Sequence, residues 1–210
     1  MAHIWEASYP QEINWSEEIT AKSIQSILDE GTAKWPDKVL CDFMDKTFTF
    51  REIDDMANRA AKGLKEMGVG PGVHVGLFLP NTPHYVVMFF AILRTGGRVV
   101  NYSPMYAPRE IQHQIEDSET DIMVTLDLAA LYPQVAAQLD NTRLKKLIVC
   151  SMPEILPFPK SLLFPLARKK DIAKVPNDSR HIRFKDLLKN DGFYEQHVVQ
   201  DPADEVAVLQ

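Results

Sequence analysis

The sequence predicts an α/β protein in which a mainly parallel sheet is flanked by helices. Strand-like and helix-like apolar stretches alternate between residues 73 and 150, and the links between them are short. That alternation is typical of βαβ units. The nearly all-apolar stretch Tyr85–Leu93 is expected to be a helix that is covered on more than one side. With 45% apolar residues, a chain of 210 residues can bury roughly 70% of its unfolded surface.

Residues 1–36 are predicted to be a helical preface to an α/β part that spans residues 37–210. Apolar side chains recur with helical spacing in the preface, at Ile19, Ile24, Ile27 and Leu28. Gly31 or Pro36 can end that helix, because neither residue favours its continuation.

A hairpin and a capped helix are predicted next. Residues 39–50 contain two short apolar stretches around Asp45 and Lys46, which indicates a hairpin. Thr49 and Glu52 match the capping box, in which each side chain binds a free backbone amide of the first turn. The helix behind them carries one apolar stripe, formed by Ile53, Ala57, Ala60, Ala61 and Leu64. Gly68 stands where a left-handed residue ends such a helix.

The alternation of strands and helices begins after this helix, with a strand at residues 73–79. Asn81 or Thr82 can cap the next helix, Pro83 suits its first turn, and Gly96 can end it. The remaining predicted elements are a strand at 98–101, a helix at 108–118, a strand at 121–126, a helix at 128–139 that contains Pro133, and a strand at 144–150.

The pattern breaks after residue 150. A basic, proline-containing insertion covers about residues 153–185, and residues 183–190 predict a short helix. The sheet is expected to resume only in the final stretch DEVAVLQ, residues 204–210. We expect the strand Val206–Leu209 to pair with sequence that lies beyond Gln210, and its unprotected edge predicts self-association of the isolated chain.

Composition excludes several classes of protein. The net charge of −6 argues against a dedicated nucleic-acid binder. Cys41 and Cys150 are the only cysteines, which excludes a disulfide framework and a CxxC metal or redox pair. The N-terminus has no basic segment followed by an apolar one, so no secretory signal is expected. Because the apolar run Tyr85–Leu93 is far shorter than the ~20 residues of a spanning helix, we expect a cytoplasmic protein.

The glycine motifs do not predict a nucleotide site. Gly68, Gly70 and Gly72 follow a helix and precede a strand, whereas a dinucleotide fingerprint needs the order strand, glycine turn, helix. A helix cap followed by a turn is therefore the preferred interpretation, and no Walker motif occurs. The sequence also lacks the GxSxG elbow of a hydrolase.

The titratable residues form no recognisable catalytic or zinc motif. The histidines are expected to lie at the surface or at its boundary: His3, His74, His84, His113, His181 and His197. Two groups of carboxylates are expected on solvated helix faces: Asp54 with Asp55, and Glu116 with Asp117 and Glu119. Ligands of parallel sheets bind beyond the carboxyl ends of the strands, which indicates Pro80–Thr82 and Asn101–Ser103 as the predicted site segments.

Two stretches resemble motifs of adenylate-forming ligases. FTFREID, residues 48–54, resembles the first core motif of that superfamily. FFAILRTGGRVVNYSPMYAPREIQHQIEDS, residues 89–118, resembles the second, in the form found in bacterial long-chain fatty-acid–CoA ligases. The resemblance covers about residues 29–210. It implies the N-terminal subdomain of the acyl-CoA synthetase-like fold.

The resemblance also implies a reaction. A fatty-acid carboxylate attacks the α-phosphate of ATP with Mg²⁺, and the thiol of CoA then displaces AMP. In the family, a strand like DEVAVLQ leads directly into the phosphate loop, so the sequence is expected to stop before that loop. The catalytic, nucleotide-binding and metal-binding residues of the family match no position here and are expected beyond Gln210. Alone, the chain is expected to be inactive.

Two alternatives to a long-chain fatty-acid–CoA ligase remain at this point. The acid substrate could be an acetate-like, aryl or luciferin-type molecule, or a complete chain could serve as a binding or dimerisation module. The insertion favours the fatty-acid branch and suggests contact with an anionic membrane. The segment Leu156–Lys185 contains eight Lys and Arg residues but only two Asp residues. Its net charge is therefore +6, while that of the rest of the chain is −12. Core packing is the preferred role for Tyr85–Leu93, ahead of a place in the wall of an acyl tunnel.

Overall fold

A computed structural model describes residues 4–10, 12–14 and 17–210. A six-stranded sheet forms its centre, and a separate two-stranded hairpin lies beside it. The hairpin strands are β1 (Val39–Phe43) and β2 (Lys46–Thr49). The strands of the large sheet are β3 (His74–Phe78), β4 (Arg98–Asn101), β5 (Thr120–Leu126), β6 (Lys146–Cys150), β7 (His181–Arg183) and β8 (Val208–Leu209).

Seven α-helices accompany these strands in the described ranges. They are α1 (Ser26–Lys34), α2 (Phe50–Glu66), α3 (Pro83–Thr95), α4 (Pro108–Asp117), α5 (Tyr132–Ala136), α6 (Lys160–Ala167) and α7 (Phe184–Leu187). Short 3-10 segments occur at Glu6–Ser8, Ala137–Asp140, Met152–Ile155 and Lys169–Asp171. The predicted α/β class and its flanking helices are confirmed.

All neighbouring strands of the large sheet run parallel, in the order β7-β6-β5-β3-β4-β8. The chain enters at β3, moves outward to β4, and then returns to the other side of β3 to form β5, β6 and β7. The direction in which successive strands are added to the sheet therefore reverses between β3 and β5. In open parallel sheets, such a reversal leaves a crevice at the carboxyl ends of the two strands, which is where ligands bind.

The helices cover both faces of the sheet. Right-handed crossovers place α3 on one face and α4 on the other, because the two connections run in opposite directions along the sheet. Helix α2 packs on α3, and α7 contacts α2 on the same side, while α4 and α5 pack together against β5. The strands β3 and β6 are consequently almost wholly buried.

The predicted helix ends are confirmed in atomic detail. The Glu52 amide donates to Thr49 Oγ1 at 3.2 Å, and the Thr49 amide donates to Glu52 Oε2 at 2.8 Å. Gly68 has φ +90°, and the Val69 amide donates to the Leu64 carbonyl at 2.9 Å, which completes a Schellman motif. Helix α3 has Thr82 at its N-cap, Pro83 in its first turn and a left-handed glycine at its end.

Several predicted boundaries are wrong. Helix α1 begins only at Ser26, and Ile19 is 96% exposed, so the apolar spacing before residue 26 did not indicate a helix. The hairpin turns at Met44–Asp45, where both residues adopt positive φ. Helix α5 is shorter than predicted because Pro133, which tolerates only a first-turn position, sets its start. The strand Val206–Leu209 was predicted, but only its second half, Val208–Leu209, forms β8.

The insertion contains two elements that were not predicted. Helix α6 includes Pro165 in its interior, and β7 pairs with β6 over only three residues. Both elements are too short to give a clear apolar period. The division of the chain at residue 36 and the predicted self-association stay predictions.

A buried arginine connects three helices. The Arg94 side chain, on α3, is only 2% exposed and donates to Asp29 Oδ1 of α1 at 2.6 Å. It also donates to the Asp54 carboxylate and to Asn58 Oδ1 of α2, the latter at 2.9 Å. Burial opposes the charged form, but the hydrogen bonds and charges of Asp54 and Asp29 outweigh it and raise the pKa of Arg94. Asp54 is therefore an ion-pair partner, which corrects its predicted place on a solvated face.

The same cluster reaches the C-terminal part of the chain. The Tyr194 hydroxyl donates to Asn58 Oδ1 at 3.2 Å. Burial of the ring raises the pKa of Tyr194 to about 12, since the phenolate would lose its hydration there. Residues 29, 54, 58, 94 and 194 thus form one polar network.

Replacing Arg94 with methionine is expected to lower the free energy of unfolding by about 3 kcal/mol, because it removes a buried guanidinium and leaves Asp54, Asn58 and the partly exposed Asp29 without their common donor. Urea denaturation monitored by circular dichroism measures the change. The matched control is Arg51→Met, which removes an exposed ion pair with Asp37 and is expected to cost less than about 1 kcal/mol. Equal losses in the two variants would contradict the assigned role of Arg94.

Candidate functional site

The structure brings the two predicted site segments together at the carboxyl edge of the sheet. Pro80–Thr82 follow β3, and Asn101–Ser103 begin at the end of the neighbouring strand β4. Tyr85, in the first turn of α3, donates its hydroxyl to Asn101 Oδ1 at 2.8 Å. Gln114 of α4 donates to the Asn101 carbonyl at 2.9 Å. Asn101 therefore holds α3 and α4 together, and its side chain is already engaged.

A cavity of about 360 Å³ lies between the hairpin and the start of α3. Its walls include Leu40–Phe43 from β1, Asn81–Pro83, and Tyr85. The Thr82 hydroxyl is buried and has no hydrogen-bond partner among the described residues. The walls of this cavity are mainly apolar, and no cationic side chain that could pair with a phosphate is among its lining residues.

Asp127 marks the end of β5, on the other side of the crevice. It is 6% exposed, and its carboxylate accepts from the Ser151 hydroxyl at 2.7 Å and from the Met152 amide at 3.1 Å. The Ala173 amide donates to the Asp127 carbonyl at 2.8 Å. The Asp127 carboxylate thus fixes the chain that leaves β6, and the Asp127 carbonyl fixes the middle of the insertion at Ala173. Sequence reasoning missed Asp127, although an acid directly after a buried apolar strand is a usable signal.

The prediction of surface histidines is wrong for His84, which is 2% exposed. His74 and His181 are also buried, at 9% each, and both find partners. His74 Nδ1 lies 2.5 Å from the Ser118 carbonyl, and His181 lies between the Tyr132 hydroxyl and Asp178. Burial and tertiary partners cannot be derived from the residues that flank a histidine. His3 lies outside the described residues; His113 is exposed, and His197 pairs with Glu205 at 2.8 Å.

The other titratable groups form no catalytic constellation in the described ranges. Glu116, Asp117 and Glu119 are exposed, as predicted. Burial raises the pKa of the Cys41 thiol, and it raises that of the fully buried Cys150 thiol further, so both remain protonated.

Within residues 4–10, 12–14 and 17–210, no three His, Cys, Asp or Glu side chains converge as metal ligands. None of the helices described there combines the length and apolar character needed to cross a bilayer.

Comparisons with known proteins place this arrangement in context. The model of the family "AMP-binding enzyme" matches residues 28–210. A long-chain-fatty-acid–CoA ligase of Bacillus subtilis is 31% identical over 98% of this chain and 37% of its own length. One from Escherichia coli O157:H7 is 30% identical over 94% of this chain and 36% of its own length. The chain thus spans little more than a third of these relatives.

Solved structures share the fold. A long-chain-fatty-acid-CoA ligase from Archaeoglobus fulgidus superposes with a TM-score of 0.68 at 21% identity, over 92% of this chain and 35% of that protein. The anthranilate CoA ligase AuaEII superposes with a TM-score of 0.71 at 18% identity. The superposition covers 93% of this chain and 33% of that protein. At these identities the likeness concerns the fold alone.

Changing Asp127 to alanine is expected to lower the free energy of unfolding by about 2 kcal/mol, since the Ser151 hydroxyl and the Met152 amide lose their acceptor. Hydrogen exchange of the Met152 amide should accelerate in the same variant. The control is Asp117→Ala, which changes an exposed carboxylate on α4. Unchanged exchange at Met152 would show that Asp127 does not hold this segment.

Proposed function

Because this chain belongs to the AMP-binding enzyme family, we propose that it forms the N-terminal part of an ATP-dependent long-chain fatty-acid–CoA ligase. The observation that carries the proposal is the coverage of this chain by ligases of that name at 30–31% identity over 94–98% of its length. The proposed reaction converts a fatty acid, ATP and CoA into acyl-CoA, AMP and pyrophosphate.

The proposed contribution of this chain is to build and orient a scaffold. The described residues do not fit a nucleotide–Mg²⁺ site: Asp127 is already engaged by two donors, and Asn101 by Tyr85. No glycine-rich loop follows any described strand into a helix N-terminus, which phosphate binding by backbone amides requires. We therefore assign the contacts to ATP, Mg²⁺ and CoA to residues outside this chain. The chain supports them by fixing the carboxyl edge of the sheet.

Another carboxylic acid is the second candidate substrate. The structures with this fold include ligases of anthranilate and benzoate, so the scaffold is compatible with aryl acids. Sequence favours a long-chain acid, because the fatty-acid ligases are more similar to this chain and cover nearly all of it.

A membrane contact is proposed for the surface of α6. The helix has no buried residue, and Leu162 and Leu166 are 64% and 76% exposed. Lys169, Lys170 and Lys174, all exposed, follow the helix directly and form no ion pair within the described ranges. An apolar patch beside cations can insert at the boundary between headgroups and acyl chains of an anionic membrane. Long-chain acids partition into the same bilayer, so the contact would bring the ligase to its substrate.

The ligase assignment is tested by pyrophosphate release. The 210-residue chain alone is expected to release none in response to palmitate, because the nucleotide contacts are assigned elsewhere. The protein expressed from its complete reading frame should release pyrophosphate from ATP at least tenfold faster with palmitate than with acetate or anthranilate. A preference for anthranilate would instead support the aryl-acid candidate. Palmitate-dependent release of pyrophosphate by the 210-residue chain would refute the assignment of the nucleotide contacts to residues outside it.

The membrane contact is tested by co-sedimentation with vesicles of phosphatidylglycerol and phosphatidylcholine. Changing Lys169 and Lys170 to glutamate should weaken binding at low salt, since each cation near an anionic surface adds about 1 kcal/mol. Changing Leu162 and Leu166 to serine should weaken the binding that remains at high salt.

The matched control carries Lys34→Glu and Lys38→Glu, which change the net charge equally at an exposed site far from α6 in sequence. It should bind like the unmodified chain. If all three variants bind alike, or the unmodified chain does not bind at low salt, the basic segment is only a solvated cover of the sheet.

A further inference from the structure

The turn of the hairpin carries a bulky apolar residue in an unfavourable backbone conformation. Phe43 of β1 pairs with Lys46 of β2, so Met44 and Asp45 form a two-residue turn. Both have positive φ, 53° and 74°, as in the type I′ turn, where asparagine and glycine are strongly preferred. A positive φ strains a bulky side chain such as methionine. Because the strained Met44 is also 52% exposed, it is available for a contact that explains the strain.

An ion pair joins this turn to the start of α6. The Lys160 ammonium donates to Asp45 Oδ2 at 2.6 Å and to the Met44 carbonyl at 3.4 Å. Leu163, which is 51% exposed, follows Lys160 by one helical turn and therefore lies on the same side of α6. Phe158, which is 82% exposed, lies two residues before the helix. The exposed apolar side chains of the turn and of α6 are thus neighbours.

The hairpin–α6 surface consists of the exposed apolar side chains of both elements: Met44, Phe158, Leu162, Leu163 and Leu166. Exposed cations outnumber exposed carboxylates around it. The cations are Lys160, Arg168, Lys169, Lys170 and Lys174, and the carboxylates are Asp42, Asp45 and Asp171. Lys160 neutralises Asp45 in the turn, and Arg168 pairs with Asp171 at 3.4 Å. The remaining charge is positive and complements an anionic surface.

We propose that the hairpin turn is a second membrane-inserting element, and that Met44 enters an anionic bilayer beside α6. The inference rests on the membrane contact proposed for α6 and extends it to a separate element of the fold. An apolar tip beside cations is stabilised by burial between acyl chains and by attraction of the cations to the headgroups. This contact explains why a flexible, unbranched apolar side chain occupies a turn position that asparagine suits better.

Met44→Asn separates membrane binding from folding, because asparagine suits the turn but not the acyl chains. Co-sedimentation of the 210-residue chain with vesicles of phosphatidylglycerol and phosphatidylcholine at high salt should show about fivefold weaker binding, as expected when one half-exposed apolar side chain is no longer buried. The melting temperature should stay the same or rise, since the turn is less strained. The control Val198→Asn removes an exposed apolar side chain near Gly70 and Thr95, at the amino end of the sheet, and should bind like the unmodified chain.

A fluorescent label measures the insertion directly. Cys150 is buried and its thiol stays protonated, so Cys41→Ser leaves no reactive thiol among the natural cysteines. In that background, a polarity-sensitive dye is attached through Met44→Cys or, as a control, through Asp117→Cys at an exposed position of α4. Anionic vesicles should shift the emission of the dye at position 44 to shorter wavelength and leave that of the dye at position 117 unchanged.

The outcomes distinguish this inference from the membrane contact of α6. If the unmodified chain binds the vesicles, then equal binding by Met44→Asn, or a dye at position 44 that stays in water, would overturn the inference and leave α6 as the contact. Absence of vesicle binding by the unmodified chain would overturn both. An emission shift that grows with protein concentration without vesicles would assign the hairpin–α6 surface to a second copy of this chain instead.

Discussion

The ion pairs of Arg94 are the interaction on which the arrangement of the helices depends. A guanidinium that is 2% exposed must be paired, because an isolated buried charge is far more costly than a paired one. Its partners Asp29 and Asp54 lie on two other helices, so the ion pairs connect α3 to both α1 and α2. This fixes the C-terminal end of α3. The first turn of the same rigid helix, with His84 and Tyr85, is thereby fixed at the carboxyl edge of the sheet.

Side-chain hydrogen bonds connect neighbouring elements at the carboxyl edge of the sheet. Asn101 joins the start of α3 to α4, and Asp127 joins the end of β5 to the chain that leaves β6. These two residues stand on opposite sides of the β3–β5 crevice. Because their polar atoms are already engaged, neither of these two residues offers a free charged group to a phosphate.

Helix ends could be predicted from the sequence because they depend on nearby residues, whereas tertiary contacts could not be predicted. The capping box at Thr49 and the left-handed Gly68 depend on neighbours within a few residues, so both were predicted correctly. The pairing of Arg94 with Asp29 spans 65 residues, and nothing near either residue indicates it. The burial of His84 depends on Phe184, from the far side of the insertion. The structure brings the two predicted segments together at one edge of the sheet, while the ligand site predicted there stays a prediction.

The central claim is that this chain supplies a folded scaffold and that the contacts to the nucleotide come from elsewhere. Calorimetric titration of the 210-residue chain with Mg²⁺ and ATP tests it most directly, because binding is measured without any need for turnover. Circular dichroism of the same sample shows whether the chain is folded. The predicted result is a folded chain with no saturable heat of ATP binding. Saturable binding of one ATP per folded chain would contradict the account, since it would require a phosphate site among residues 1–210.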